Sequence, residues 1–315
     1  MENVLVVAQQ VAILFVLMGF GAAMRRTRIV SDGSIEGIVN LLILVVTPCL
    51  IVDVFQRPYD PTMLRGLAVA FGVAVAGHAA VIALALAAVR HRNEDVRRPL
   101  MLAAVFSNAG FIGVPLDQAV LGDRGVFYGA VYIVVFNLFM WSWGYQLMKG
   151  TEGPAIGRHR LVNLKMFVNP GSVGIFLGLP LFFFSVKLPA TIGVPVHEIA
   201  NLNTPLAMII IGYCLVGAKL GRVVRTGAVY VATAIRLVVF PLAIIAALYP
   251  FRRQLDRDMM LATVIAAAAP VAAMVSMFAS KFRRDVDTAV AVVSGTTLLS
   301  VLTMPPVIAF AMSVL

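Results

Sequence analysis

The chain is poor in charge. Of its 315 residues 13% are Asp, Glu, Lys or Arg, against roughly a quarter in a soluble domain, while 61% are hydrophobic and the mean hydropathy is +0.95. A soluble fold of this size has no interior large enough for so much apolar surface, so the bilayer is part of its solvent. Cysteine is almost missing. Cys49 and Cys214 both lie in apolar runs, which excludes a disulfide framework and a cysteine metal site. Acidic residues number 15 against 25 Lys and Arg, giving +10, but the basic residues sit in short clusters between apolar runs. That is the pattern that orients membrane spans, not one that grips nucleic acid. HExxH, GxSxG and paired intramembrane aspartates are all missing, so an enzyme's nucleophile and base would be unaccounted for. No cofactor or metal is expected. The first 24 residues carry Glu2 where a signal peptide has Lys or Arg, and read as a retained first helix.

What is present is a series of apolar runs of about twenty residues, each enough to cross a hydrocarbon core of about 30 Å. Cut at charged and Gly/Pro-rich breaks, they predict an all-α integral membrane protein with ten transmembrane helices, at 4–24, 33–56, 62–89, 98–121, 125–148, 166–187, 195–218, 227–250, 258–280 and 286–313. The longest connection, around 149–165, is too short for a soluble domain.

Alternate loops differ in charge. Those around Arg25, Arg90, Lys149, Lys219 and Lys281 hold 17 Lys and Arg, the opposite set seven. The positive-inside rule then puts both termini outside the cytoplasm of a multi-pass protein of the cell membrane, a bacterial inner membrane being expected. The chain also repeats itself. Met101–Val105 (MLAAV) returns at Met260–Val264 (MLATV), Thr47-Pro48 at Thr204-Pro205, and Arg65 with Val69 at Arg225 with Val229, at offsets of 157–160. The halves are 1–158 and 159–315. Five spans per half make the second copy inverted, a common plan among secondary transporters.

The run FSNAGFIGVPLDQAVLG at 106–122 places Gly110, Gly113 and Pro115 in the middle of the fourth helix, with Asn108 offering an amide. Its counterpart in the ninth helix contains Pro270 and Val271. Broken helices at membrane depth are tolerated where they are buried or line a wet cavity, and two crossing breaks aim half-helix N-termini, each about half a positive charge, at one point. That point favours an anion; the alternative is that Gly and Pro merely kink packed helices. Asn40 with Pro48 and Asn203 with Pro205 mark helices two and seven; both amides are candidate substrate ligands, although an amide bonding between helices is the simpler reading. Ionisable candidates for proton or ion coupling are His78, Asp117, Asp53 and Glu198; His78 and Arg236 lie deepest in apolar runs, whereas Asp53, Asp117 and Glu198 fall near an interface, where solvation is the simpler account.

At SNAGFIGVPL the chain resembles the auxin efflux carrier family, whose bacterial members include malonate- and malate-carrier-like proteins. GIVNLLILVVTPCLI in helix two and APVAAMVSMFASKF in helix nine extend the likeness. The resemblance implies crossed broken helices 4 and 9, a scaffold of helices 1, 2, 6 and 7, a mobile unit of helices 3–5 and 8–10 moving as an elevator, and a homodimer. It implies Asn108 as a substrate ligand, with Ser107, Gly110, Pro270 and Val271 shaping the site. The sequence departs from plant members, which have Pro where Ser107 stands and a polar amide where Val271 stands, and it lacks their long cytoplasmic loop. The expected function is alternating-access transport of a small carboxylate across the bilayer. A sodium-coupled organic-anion symporter of the bile-acid type, a membrane enzyme and a non-transporting sensor are the alternatives.

Overall fold

The computed structural model describes residues 2–150, 170–216 and 227–315. Among these residues all regular elements are helical. The helix α1 spans Glu2–Arg26; α2 (Asp32–Leu41) runs through a π-helical turn into α3 (Thr47–Phe55); α4 spans Pro61–Ala88. Then come α5 (Glu94–Val105), a π-helical turn at Ala109–Gly113 leading into α6 (Val114–Leu121), and α7 (Asp123–Phe139), which continues by another π turn into α8 (Tyr145–Lys149). The second half holds α9 (Pro170–Phe183), α10 (Ala190–Asn201), α11 (Asn203–Val216), and α12 (Gly227–Ala234), joined through the π turn Ile235–Val239 to α13 (Phe240–Leu248). It ends with α14 (Arg257–Ala268), α15 (Met274–Lys281) and α16 (Val286–Val314).

Six of these helical stretches, Gly33–Phe55, Pro61–Ala88, Asp123–Lys149, Ala190–Cys214, Gly227–Phe251 and Val286–Val314, are long and apolar enough to cross a bilayer. Their outer faces carry bare apolar side chains, among them Leu44, Phe71, Val194, Tyr230 and Leu302, which only a hydrocarbon solvent accommodates. The helix starts are locally encoded. Asp60, Asn93, Asp256 and Asp285 each accept a backbone N–H from the first turn of α4, α5, α14 and α16 at 2.7–3.1 Å, satisfying donors that the helix itself leaves free. Both α5 and α14, at 12 residues, are too short to span, and both are buried along most of their length.

Two glycines set the tightest contact. A Cβ on Gly21 of α1 would overlap the backbone carbonyl of Ile209, and one on Gly212 of α11 would overlap that of Met18, so α1 and α11 meet backbone to backbone. Gly174 and Gly178 let α9 lie against Pro48 and Phe55 of α3 in the same way.

The loop contacts fall into two groups. In one, Asp95 accepts from Arg284 at 2.5 Å and Arg284 also donates to the carbonyls of Met148 and Lys149; Arg25 likewise donates to the Tyr213 carbonyl. In the other, Tyr59 meets Ser185, Gln56 meets Leu188, and Arg124 pairs with Asp256 and Asp258. Loops of like charge character therefore touch one another across the two halves. Of the connection at 149–165 only Lys149 and Gly150 are described; Arg158, Arg160, Lys165, Lys219, Arg222 and Arg225 fall outside the described residues.

Candidate functional site

Helix α5 stops at Val105 and α14 at Ala268, and beyond each the backbone is extended. The two extended pieces cross as one antiparallel bridge between Ser107 and Val271. Asn108 N–H donates to the Pro270 carbonyl at 2.6 Å, and Ala272 N–H to the Phe106 carbonyl at 3.0 Å. Val271 N–H finds the Thr296 hydroxyl of α16 at 3.2 Å. Groups released by breaking two helices thus bond to each other, as a lipid-embedded backbone requires.

Arg236, in the π turn between α12 and α13, completes the crossing. Its guanidinium donates to the Val105 carbonyl at 2.8 Å and to the Ala267 carbonyl, so one buried cation holds the carbonyl ends of both half-helices. Those ends carry partial negative charge. Among the described residues no carboxylate forms an ion pair with it; the Phe240 ring lies 4.8 Å from its centre.

On the far side of the bridge the chain turns into the π turn and α6. Asn108 Oδ1 accepts the Phe111 N–H at 3.3 Å, and its carbonyl accepts from Ile112 and Gly113. Asn108 is thereby the cap of the second half-helix. It is half-buried, whereas Ser107 is fully buried with its hydroxyl unpartnered among the described residues. A side chain on Gly110 would meet nothing within 4 Å, so the turn that follows Asn108 has open space at Gly110. Gly113 brings the turn against Ala266 of α14, to which a Cβ would be 3.5 Å.

The first break sits elsewhere than Gly110, Gly113 and Pro115 predict. The helix opens at Phe106–Asn108, before them, while Pro115 lies inside the second half-helix, where the π turn runs into α6. In the second, Pro270 does stand in the break. The cause of the first break is tertiary: the bridge and Arg236 supply partners that the helix would otherwise provide.

A small cleft, with a cavity volume of about 50 Å³, lies between α1, the π turn and α6, α11 and α16, lined by Leu14, Ile112, Leu116, Met208, Thr297 and Met304 among others. Thr297 and the neighbouring Ser300 turn their hydroxyls onto carbonyls of their own helix at 2.7 Å, which leaves the wall apolar. Ile112 and Leu116 are one and two turns along from Asn108.

The other predicted positions divide. Asn203 is buried in α11, its Oδ1 accepting from Thr47 at 3.3 Å and its Nδ2 unpartnered among the described residues. His78 is buried under the crossing, stacked on Phe139 at 5.3 Å and beside Tyr132 and Phe106, with Nδ1 2.8 Å from the Ala74 carbonyl. Asp117 is buried in α6 with both oxygens unpartnered among the described residues, and a Cβ on Gly129 would overlap it. Asp53 pairs with His197 at 2.9 Å near the loop end, and Glu198 and Asn40 are exposed; these three are not gathered at the crossing. Arg236 was visible as a lone charge in an apolar run, but its partners are carbonyls, which leave no mark in a sequence. Thr296 and Tyr132 carried no signal at all.

A family model described as membrane transport protein matches residues 6–156 and again 157–308. Comparison with individually curated proteins gives no match. The two matches together cover almost all of the chain. The chain therefore belongs to the membrane transport protein family, that of the auxin efflux carriers.

Proposed function

We propose that this membrane transporter carries small organic anions, and that the carboxylate binds where the two broken helices cross. The observation that carries the reading is the Ser107–Val271 bridge with Arg236 on its carbonyl side. With the negative ends of α5 and α14 held by a cation, the positive N-terminal ends of the π turn and of α15 are the ends left to a ligand. Asn108 and the backbone at Gly110 bind the anion from one side, and Asn203 Nδ2 reaches it from α11, which packs on the π turn. Pro270 and Val271 shape the second break. The organic body occupies the apolar cleft along Ile112 and Leu116. This favours acids with one carboxylate and an apolar body over dicarboxylates, since the cleft wall offers a second charge no partner.

In this reading ten crossings form two inverted five-helix repeats, both termini face away from the cytoplasm, and the unit containing the crossing slides against α1, α2–α3, α9 and α10–α11 as the site opens to alternate sides. The family resemblance adds a homodimer. His78 and Asp117, buried and with polar atoms unpartnered, are the proposed proton carriers. The test is uptake into vesicles containing the purified protein. Radiolabelled benzoate should accumulate and be displaced by other monocarboxylates; displacement by amines and not by acids overturns the reading.

A further inference from the structure

We propose that Arg236 is a positioning residue, a clamp on the Val105 and Ala267 carbonyls that fixes how the two broken helices cross and which of their ends face the ligand. Only this last step rests on the anion-carrier reading.

Helices α5 and α14 come from different halves of the chain and end without intrahelical partners for their last carbonyls. A planar guanidinium carries five N–H donors in a fixed fork. Here two of its nitrogens are divided between two helix ends, with Val105 131 residues and Ala267 31 residues from Arg236. The residue sits in a π-helical turn, a local widening that often marks functional positions in helices, and the rod that bears it packs on both α5 and α14. Total burial of the side chain, with its guanidinium over the Phe240 ring, excludes a surface role. That its partners among the described residues are carbonyls and not a carboxylate is the informative point. A buried cation ordinarily takes a carboxylate, which would cancel its charge. Carbonyl partners set the charge against the two negative helix ends, so the positive N-terminal ends across the bridge are left uncancelled.

The test is hydrogen–deuterium exchange, read by mass spectrometry, on the full-length protein in nanodiscs, comparing wild type with Arg236→Gln and Arg236→Lys. Gln loses the charge and the fork; Lys keeps the charge but not the fork, and serves if the Gln variant does not fold. Peptides covering 106–112 and 270–277 should exchange at least tenfold faster in Arg236→Gln and several-fold faster in Arg236→Lys, with α1 and α11 unchanged. Wild-type exchange at both breaks, with any change confined to α12–α13, overturns the clamp. Benzoate binding is the second arm and should weaken tenfold or more in Arg236→Gln. If the breaks loosen but benzoate affinity is kept, Arg236 does not direct the ends to the ligand. If wild type ignores every carboxylate while the breaks still loosen in the variants, the clamp stands and the carrier reading falls.

Discussion

Thr47 of α3 donates its hydroxyl to Asn203 of α11 at 3.3 Å, joining residues 156 positions apart. Asn203 immediately precedes Thr204-Pro205, the second occurrence of the Thr47-Pro48 pair, so the bond joins two stretches of like sequence. Thr47→Val keeps the shape and removes the donor. It should lower stability by about 1 kcal/mol, the usual net worth of one hydrogen bond, read as a drop in thermal midpoint in detergent, and leave carboxylate affinity within a factor of two.

Asn108→Ala removes both the cap on Phe111 and the proposed ligand contact. Loss of one hydrogen bond to a charged ligand corresponds to about 1.5–3 kcal/mol, or roughly tenfold to a hundredfold in affinity. Titration of carboxylate binding should show this weakening. Unchanged affinity with a lower thermal midpoint would instead make Asn108 structural only.

Two glycines in neighbouring elements should answer to the same substitution in opposite ways. Gly110→Ala adds a methyl to open space and should fold normally, yet slow carboxylate uptake because that space belongs to the site. Gly129→Ala drives a methyl into the Asp117 carboxylate. It should cost about 1–3 kcal/mol as overpacking, seen as a lowered thermal midpoint or poor recovery of folded protein.

Asp117→Asn keeps the volume and removes the exchangeable proton. If Asp117 carries the coupling proton, the variant should still exchange labelled substrate between the two sides of a vesicle but fail to concentrate it against an imposed pH gradient. Full concentrative uptake would clear Asp117 of that role.

The charge asymmetry of the loops makes a topological prediction. With Cys49 and Cys214 replaced by Ala, single cysteines at Thr27 and Arg283 should both react with an impermeant thiol reagent from the cytoplasmic side alone. Reaction of either from outside removes the inverted arrangement.

The helices were largely legible because apolar length and charged or capped ends are local properties. Expected 62–89, 258–280 and 286–313 correspond to Pro61–Ala88, the α14–α15 pair from Arg257 to Lys281, and Val286–Val314. The helical interruption near Asn108 was legible as a fact but misplaced by several residues. Gly110 and Pro115 advertise weakness in a helix, whereas the chain opens at Phe106–Asn108, where Pro270, Ala272 and Arg236 offer bonds. Those partners lie far along the chain and act through backbone atoms, which residue identities do not encode. Asp117 shows the reverse error. It reads as a carboxylate near an interface, and only the packing of Gly129 against it reveals its burial.

The bridge also dictates an order of assembly. Val105, Phe106 and Asn108 leave the ribosome well before Arg236, Pro270 and Ala272, their partners. At about 5–20 residues per second, the wait between Asn108 and Ala272 is roughly ten to thirty seconds. Until then the peptide groups at Phe106–Asn108, which cost several kcal/mol each in lipid when unbonded, have only helical partners to take. The first half should therefore emerge with this stretch helical and open it only when the second half arrives, so that the crossing is among the last parts of the fold to form.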